Sequence, residues 1–209
     1  GVLWRATRAN VASMLGDDDL ARELAKQAHE LANRSGAPGD LTAAHQAIAK
    51  ISAGSRKTAH LAMALVAARN DTDAVSVARI VGNQSYALLA AAQFDQAVAA
   101  SRDAVLAAEL VRPMGALTAS LHNLAEGLTR LGEYGEARWH LRRALAVSQR
   151  LGPNRGAASM CGLGDIHRAL GQREQGRAAY EEAVTLARTS HELQVLVPAL
   201  SGLARLVLD

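Results

Sequence analysis

Aromatic residues are scarce in this chain of 209 residues: they make up 3% of it, with one Phe, three Tyr and two Trp. Such a chain cannot build the aromatic-rich core of a β-sandwich or barrel. Its apolar residues, 49% of the total, are mostly Ala, Leu and Val, and runs of β-branched residues are few. Strong helix formers are frequent throughout, so the composition predicts a globular all-α protein.

Cysteine and long apolar runs are also rare or missing. The single Cys161 excludes an intrachain disulfide and favours a reducing compartment. No apolar stretch reaches the roughly 18–20 residues that a membrane span requires, and the N-terminus lacks the pattern of a signal peptide. We therefore expect a cytoplasmic protein without a membrane partner. Its start at Gly1 rather than Met is interpreted as a cut boundary or a processed end.

Charge of one sign is also limited, because the formal net charge is only +3. The strongest basic stretch is expected mostly on outward-facing helices and comprises Arg138, Arg142, Arg143, Arg150, Arg155, Arg173 and Arg177. Nearby Glu residues dilute this charge, and only Trp139 lies close enough to offer the aromatic stacking that RNA-binding surfaces use. Nucleic acid is therefore a disfavoured partner.

A repeat of 38 to 40 residues runs along the whole chain. It is marked by five short hinges, Leu15-Gly16, Ala53-Gly54, Ala91-Ala92, Leu131-Gly132 and Leu170-Gly171. Three positions relative to the second residue of each hinge hold mostly small residues. Seven residues before it are Ala9, Ala47, Ser85, Ala125 and Gly164. Five residues after it are Ala21, Ala59, Ala97, Ala137 and Gly176, and twelve residues after it are Ala28, Val66, Ala104, Ala144 and Ala183. Small side chains let two helix axes approach to about 8–9 Å, so the columns predict facing helices.

The pattern predicts a right-handed α-solenoid of five helix-turn-helix repeats plus a terminal helix, forming a single domain over residues 1–209. The repeats are predicted at about 1–35, 40–70, 73–111, 115–151 and 155–190, with the terminal helix at 195–208. The eleven predicted helices span 2–15, 17–34, 40–52, 56–69, 73–91, 94–110, 115–131, 134–150, 155–170, 173–189 and 195–208. Pro198 lies in the last of these, which therefore starts near it or is kinked.

The hinge motifs resemble the signature of the tetratricopeptide repeat family. The best matches are Leu131 to Ala137 with Leu141 and Ala144, Leu170 to Gly176 with Tyr180 and Ala183, and Ala92 to Ala97. The resemblance implies a peptide-binding groove, in which Asn residues such as Asn83 and Asn123 hold an extended peptide. Long repeats with few aromatics also resemble the arrays of large bacterial transcription regulators and signalling ATPases.

The hinge spacing predicts which side chains line the concave groove of such a solenoid. The central and C-terminal part of this groove is predicted to carry Asn83, Tyr86, His122, Asn123, Glu126, Arg130, Asp165 and Arg168. Arg130 and Arg168 could bind a carboxylate or phosphate in a bidentate manner. The alternative is an ordinary solvated surface, in which Glu126 and Arg130 form a helix ion pair four residues apart.

Motifs for catalysis, cofactors and metals are missing. The sequence contains no GxxxxGK[ST], no GxGxxG after a strand and no Ser-centred elbow, so we predict a protein that is not an enzyme and has no cofactor. No HExxH or paired-Cys spacing supports a metal site, although His122, His140 and His167 come nearest to clustering. Cys161 is interpreted as a small buried or groove residue.

Three functional hypotheses remain open. The first is a non-catalytic interaction module of a larger regulatory protein, which binds a peptide, a partner protein or another domain of its parent chain. The second is a sensor domain for a small effector in a bacterial transcription regulator. The third is a homodimer formed through exposed faces, including the apolar helix at 58–68.

Overall fold

The computed structural model describes residues 1–111, 114–152 and 156–208. In these ranges the chain forms eleven α-helices and no strand, which confirms the all-α prediction. Residues 112–113 and 153–155, which include Arg155 of the basic stretch, lie outside the described residues.

The helices fall into two compact units, Gly1–Ala92 and Gln93–Asp209. Unit 1 contains α1 (Val2–Met14), α2 (Asp18–Ser35), α3 (Pro38–Lys50), α4 (Gly54–Asn70) and α5 (Ala74–Ala90). Unit 2 contains α6 (Phe94–Val111), α7 (Met114–Arg130), α8 (Tyr134–Leu151), α9 (Ala157–Ala169), α10 (Arg173–Ser190) and α11 (Leu193–Leu208). The boundary follows the predicted hinge Ala91-Ala92. A single domain over 1–209 and a count of five repeats stay predictions.

Unit 1 is built by consecutive helices that pack on one another, with α1 also contacting α3. Its core consists largely of Ala, supplemented by a few larger side chains such as Leu24, Ile48, Leu61 and Ile80. Two helix starts are capped by acidic side chains: Asp17 accepts a hydrogen bond from the Leu20 amide of α2, and Asp73 accepts one from the Ser76 amide of α5. Such caps satisfy amides that have no partner within the helix.

Unit 2 is built around α7 and α9. Helix α7 packs against α6, α8 and α9, and α9 packs against α8, α10 and α11. The main core contains the fully buried Leu121, Leu124, Leu141 and Ile166. A second cluster surrounds Tyr180, whose side chain has no exposed surface.

The columns of small residues occupy the helix interfaces in four of the five predicted repeats. All five residues seven places before the hinges are buried, including Ser85 in α5. In the second repeat the columns after the hinge are wrong, because Ala59 is exposed and Val66 is 59% exposed. Helix α3 ends at Lys50 and α4 begins at Gly54, two residues earlier than predicted at both positions. The buried residues of α4 are Leu61, Ala64, Ala67 and Ala68.

The last helix begins at Leu193 rather than at 195 and continues past Pro198. Pro198 therefore lies in the second turn, and the prediction that the helix starts near it is wrong. Ala199, Gly202 and Leu206 form its buried face.

The turn between α4 and α5 holds Thr72 at a φ of +54°. A β-branched residue is strained in this left-handed region, where the Cβ atom approaches the following carbonyl. We expect Thr72→Gly to raise the free energy of unfolding by about 1 kcal/mol, measured by urea denaturation. Thr58→Gly, within α4, is the matched control. It should lower the free energy of unfolding by several tenths of a kcal/mol or more, because Gly has a lower helix propensity. Equal losses in both variants would contradict this prediction.

Candidate functional site

Six of the eight predicted groove residues lie on two adjacent helices of unit 2. Helix α7 carries His122, Asn123, Glu126 and Arg130, and α9 carries Asp165 and Arg168. Glu126 and Asp165 stand at the same place in their repeats, six residues before the hinge, and the two helices pack directly against each other. This face of α7 and α9 is the candidate site.

A row of polar side chains follows α7, because His122, Glu126 and Arg130 are spaced four residues apart and so share one face of the helix. The Arg130 Nη2 atom lies 4.0 Å from Glu126 Oε1, and the two side chains are 60% and 41% exposed. An ion pair of this kind contributes about 0–1 kcal/mol, so it can yield to a better partner. The guanidinium also lies 6.0 Å from the Phe94 ring centroid. Burial lowers the pKa of His122, so this imidazole is neutral at pH 7.

On α9 the carboxylate of Asp165 is held by a buried tyrosine that the sequence did not single out as a partner. The Tyr180 hydroxyl donates a hydrogen bond of 2.6 Å to Asp165 Oδ1. Burial and then Asp165 raise the pKa of Tyr180, while the charge of Arg168 opposes them. Asp165 therefore has a structural role that links α9 to α10. The sequence feature that accompanies this buried tyrosine is the pair of glycines at 164 and 202. Cβ atoms at these positions would lie 2.6 and 2.4 Å from the Tyr180 ring.

The other two predicted groove residues lie on α5 of unit 1. Asn83 is exposed, and Tyr86 is 54% exposed. The Lys57 ammonium of α4 lies 5.4 Å from the centroid of the Tyr86 ring, within the range of a cation–π contact. His45, at the position of α3 that corresponds to Asn83 and Asn123, is instead buried.

The histidines that meet are not the predicted ones. His140 lies 3.3 Å from the Glu136 carboxylate, and His167 lies 2.7 Å from the Gln172 side chain. The rings that cluster are those of His29, His45 and His60 in unit 1, on α2, α3 and α4, with centroids 5.1 to 6.3 Å apart. Within the described ranges, no group of three or more His, Cys, Asp or Glu side chains is arranged to hold a metal ion.

Part of the basic stretch is engaged within unit 2. Arg143 forms an ion pair with Glu109 of α6 and lies 4.9 Å from the Trp139 ring centroid. Arg173 of α10 donates a hydrogen bond to the Leu206 carbonyl of α11. These arginines therefore contribute to contacts between helices.

Cys161 of α9 lies in the core beside Tyr180. Burial and then the charge of Asp165 raise the pKa of its thiol to about 12. Since the thiolate is the reactive form, a thiol that stays protonated at neutral pH is a poor nucleophile.

Residues 117–189, from α7 to α10, match the family model of the tetratricopeptide repeat. This segment consists of tetratricopeptide repeats. Such repeats are typically non-catalytic scaffolds for protein interaction, and the candidate site lies within the matched segment. No curated protein matches the sequence.

Solved helical-repeat proteins share the fold of the chain. A signal transduction ATPase with numerous domains and a tetratricopeptide repeat sensor, from Pyrococcus horikoshii, is 14% identical with a TM-score of 0.74; the similarity covers 99% of this chain and 33% of that one. A Rap protein complexed with competence and sporulation factor is 15% identical with a TM-score of 0.73, covering 97% and 63%. BtubC from P. vanneervenii is 19% identical with a TM-score of 0.69, covering 88% and 78%.

These similarities confirm the solenoid class of helical repeat for the fold. The chain spans a third of the length of the ATPase and under two thirds of the Rap protein. None of the helices in the described ranges has the length and apolar character to span a bilayer.

Proposed function

We propose that the chain is a non-catalytic interaction module that binds an extended peptide segment or a partner domain across α7 and α9. The observation that carries the proposal is the row of partly exposed polar side chains on α7, beside α9, within tetratricopeptide repeats. Concave faces of helical repeats are binding surfaces in general, because successive helices present side chains at regular spacing.

The chemistry of this face suits a peptide backbone with an acidic group. Arg130 can exchange its weak contact with Glu126 for a ligand carboxylate, and its planar guanidinium can form two parallel hydrogen bonds. The Asn123 amide both donates and accepts, as the backbone of an extended peptide requires. Glu126 can then accept a backbone or ammonium hydrogen.

We further propose that the chain works as part of a larger regulatory protein in the cytoplasm. The support is its similarity over nearly its full length to the ATPase with a repeat sensor and to a Rap protein whose structure contains a bound factor. Both are longer than this chain.

The binding proposal is tested by selecting peptides from a random library on the purified chain and titrating the selected peptides by calorimetry. We expect Arg130→Ala and Asn123→Ala each to weaken binding about tenfold, which corresponds to the roughly 1–2 kcal/mol of a charge-assisted or paired hydrogen bond. Arg142→Ala, an exposed arginine on α8, is the matched control and should leave the affinity unchanged. Peptide binding that survives both site replacements would contradict this assignment of the groove.

The second candidate is a sensor for a small effector. It is favoured by the similarity to the ATPase that carries a repeat sensor. Melting temperatures measured across a panel of metabolites separate the two candidates, because a ligand that binds only the folded chain raises the melting temperature by mass action. A shift that Arg130→Ala abolishes, together with no selected peptide, would favour the sensor.

A further inference from the structure

Three histidines from three consecutive helices meet inside unit 1. His45 of α3 is 7% exposed, and its Nδ1 atom lies 3.1 Å from Nδ1 of His60 on α4. The His29 ring of α2 lies 5.1 Å from that of His45 and 6.3 Å from that of His60. Helix α3 packs against both α2 and α4, so the rings occupy the junction of the three helices.

The contact between His45 and His60 requires at least one neutral ring. In the neutral pair, the Nδ1–H of one imidazole donates to the bare Nδ1 of the other, and a single added proton can be accommodated. When both rings are charged, each Nδ1 carries a hydrogen and the bond is lost. The Nδ1 atom of His29 is also buried and has no hydrogen-bond partner among the described residues, so the junction offers little compensation for a charge there.

The charged groups that act on this junction are cationic when ionised. Burial, then His29 and His60, lower the pKa of His45 to about 4. Burial, then Arg56 of α4 and His29, lower the pKa of His60. Repulsion between charges of the same sign would therefore increase with every proton added.

We propose that the junction of His29, His45 and His60 is an acid-sensitive joint, at which protonation loosens the packing of α3 between α2 and α4. The effect is regulatory in character and resides in unit 1, apart from the candidate site on α7 and α9. It depends on a cluster of groups at an interface and not on the proposed binding function.

The direction follows from proton linkage. The imidazole of unfolded His45 titrates near the usual pKa of 6.5, whereas that of the folded chain titrates near a pKa of about 4. Between these values the unfolded chain binds a proton that the folded chain does not, so stability is full above pH 6.5 and falls as the pH drops toward 4. From pH 7.5 to 5.5, His45 alone lowers the folding equilibrium constant about tenfold.

The test is hydrogen exchange of the full chain followed by mass spectrometry at pH 7.5 and 5.5, corrected for the intrinsic exchange rate. Protection of peptides from α3 and α4 should fall about tenfold or more relative to peptides from α10 and α11. His45→Gln combined with His60→Gln, which removes the titrating rings but keeps polar groups, should abolish this difference. His167→Gln, which removes an imidazole from unit 2, is the matched control and should preserve it.

Equal loss of protection in the wild type and the double variant would overturn the proposal, as would an equal loss in α3 and α10. If the double variant is unfolded at pH 7.5 by circular dichroism, His45→Gln alone is used, and it should remove the roughly tenfold contribution of His45. A histidine NMR titration of the wild type supplies a check that needs no variant. The assigned imidazole of His45 should remain neutral below pH 5, and its titration near pH 6.5 would refute the joint.

Discussion

Replacing Gly202 with Ala should lower the free energy of unfolding by about 3 kcal/mol, at the upper end of the range for overpacking. A Cβ atom at this position would lie 2.4 Å from both Cε1 and Cζ of Tyr180. The ring has little room to move, because it has no exposed surface and its hydroxyl is bonded to Asp165. The added methyl must therefore separate α11 from α10.

The measurement is urea denaturation followed by circular dichroism, with Gly135→Ala as the matched control. Gly135 lies near the start of α8, and a Cβ atom there would meet nothing within 4 Å. Its replacement should therefore raise stability by about 0.5–1 kcal/mol through helix propensity. A Gly202→Ala variant as stable as the Gly135→Ala variant would show that the Tyr180 cluster can accommodate the methyl.

The cluster around Tyr180 limits which substitutions can test the candidate site. Asp165 was predicted as a groove residue, yet its carboxylate accepts the hydrogen bond of a buried tyrosine. Asp165→Ala would leave the Tyr180 hydroxyl without this partner, and loss of a buried partner costs about 1–3 kcal/mol. Weaker peptide binding by that variant could therefore reflect a changed α9. Arg130, whose contact with Glu126 is long and exposed, separates binding from stability.

Sequence alone predicts the helices best where a glycine hinge and the spacing of small residues agree. Helix α8 was predicted at 134–150 and spans Tyr134–Leu151, and α10 was predicted at 173–189 and spans Arg173–Ser190. Gly132 and Gly171 have φ values of +84° and +70°, which glycine adopts at little cost. Prediction was weakest at α4, where the hinge was placed at Gly54 although α3 ends at Lys50.

For the candidate site, the sequence predicts positions on a helix but not contacts between helices. Repeat spacing predicts which positions of α7 and α9 share a face, because that depends only on helix geometry. It does not predict the hydrogen bond from Tyr180 to Asp165 or the cluster of three histidines. These contacts join side chains of different helices, so they depend on the distance between the helices and on the side-chain rotamers. His29, His45 and His60 were individually visible in the sequence, but their spacing of 16 and 15 residues belongs to no motif.

The corrected position of α4 leads to a second large expected effect. Ala68→Leu should lower the free energy of unfolding by about 3 kcal/mol, because overpacking forces side chains off their rotamers and shifts backbones. Ala68 has no exposed surface and lies in the cluster that contains Leu61 and Ile80. Because this position is fully buried, the added carbons would overlap with the side chains of that cluster.

Ala59→Leu introduces the same atoms on the same helix at an exposed position, and it should change stability by about 0.5 kcal/mol or less. The sequence pattern alone predicts the reverse order, since it assigned Ala59 to the tight interface. Urea denaturation of both variants therefore decides between the two placements of α4. A large loss for Ala59→Leu with little change for Ala68→Leu would return the hinge to Ala53-Gly54, and His60 would then face a different neighbour from His45.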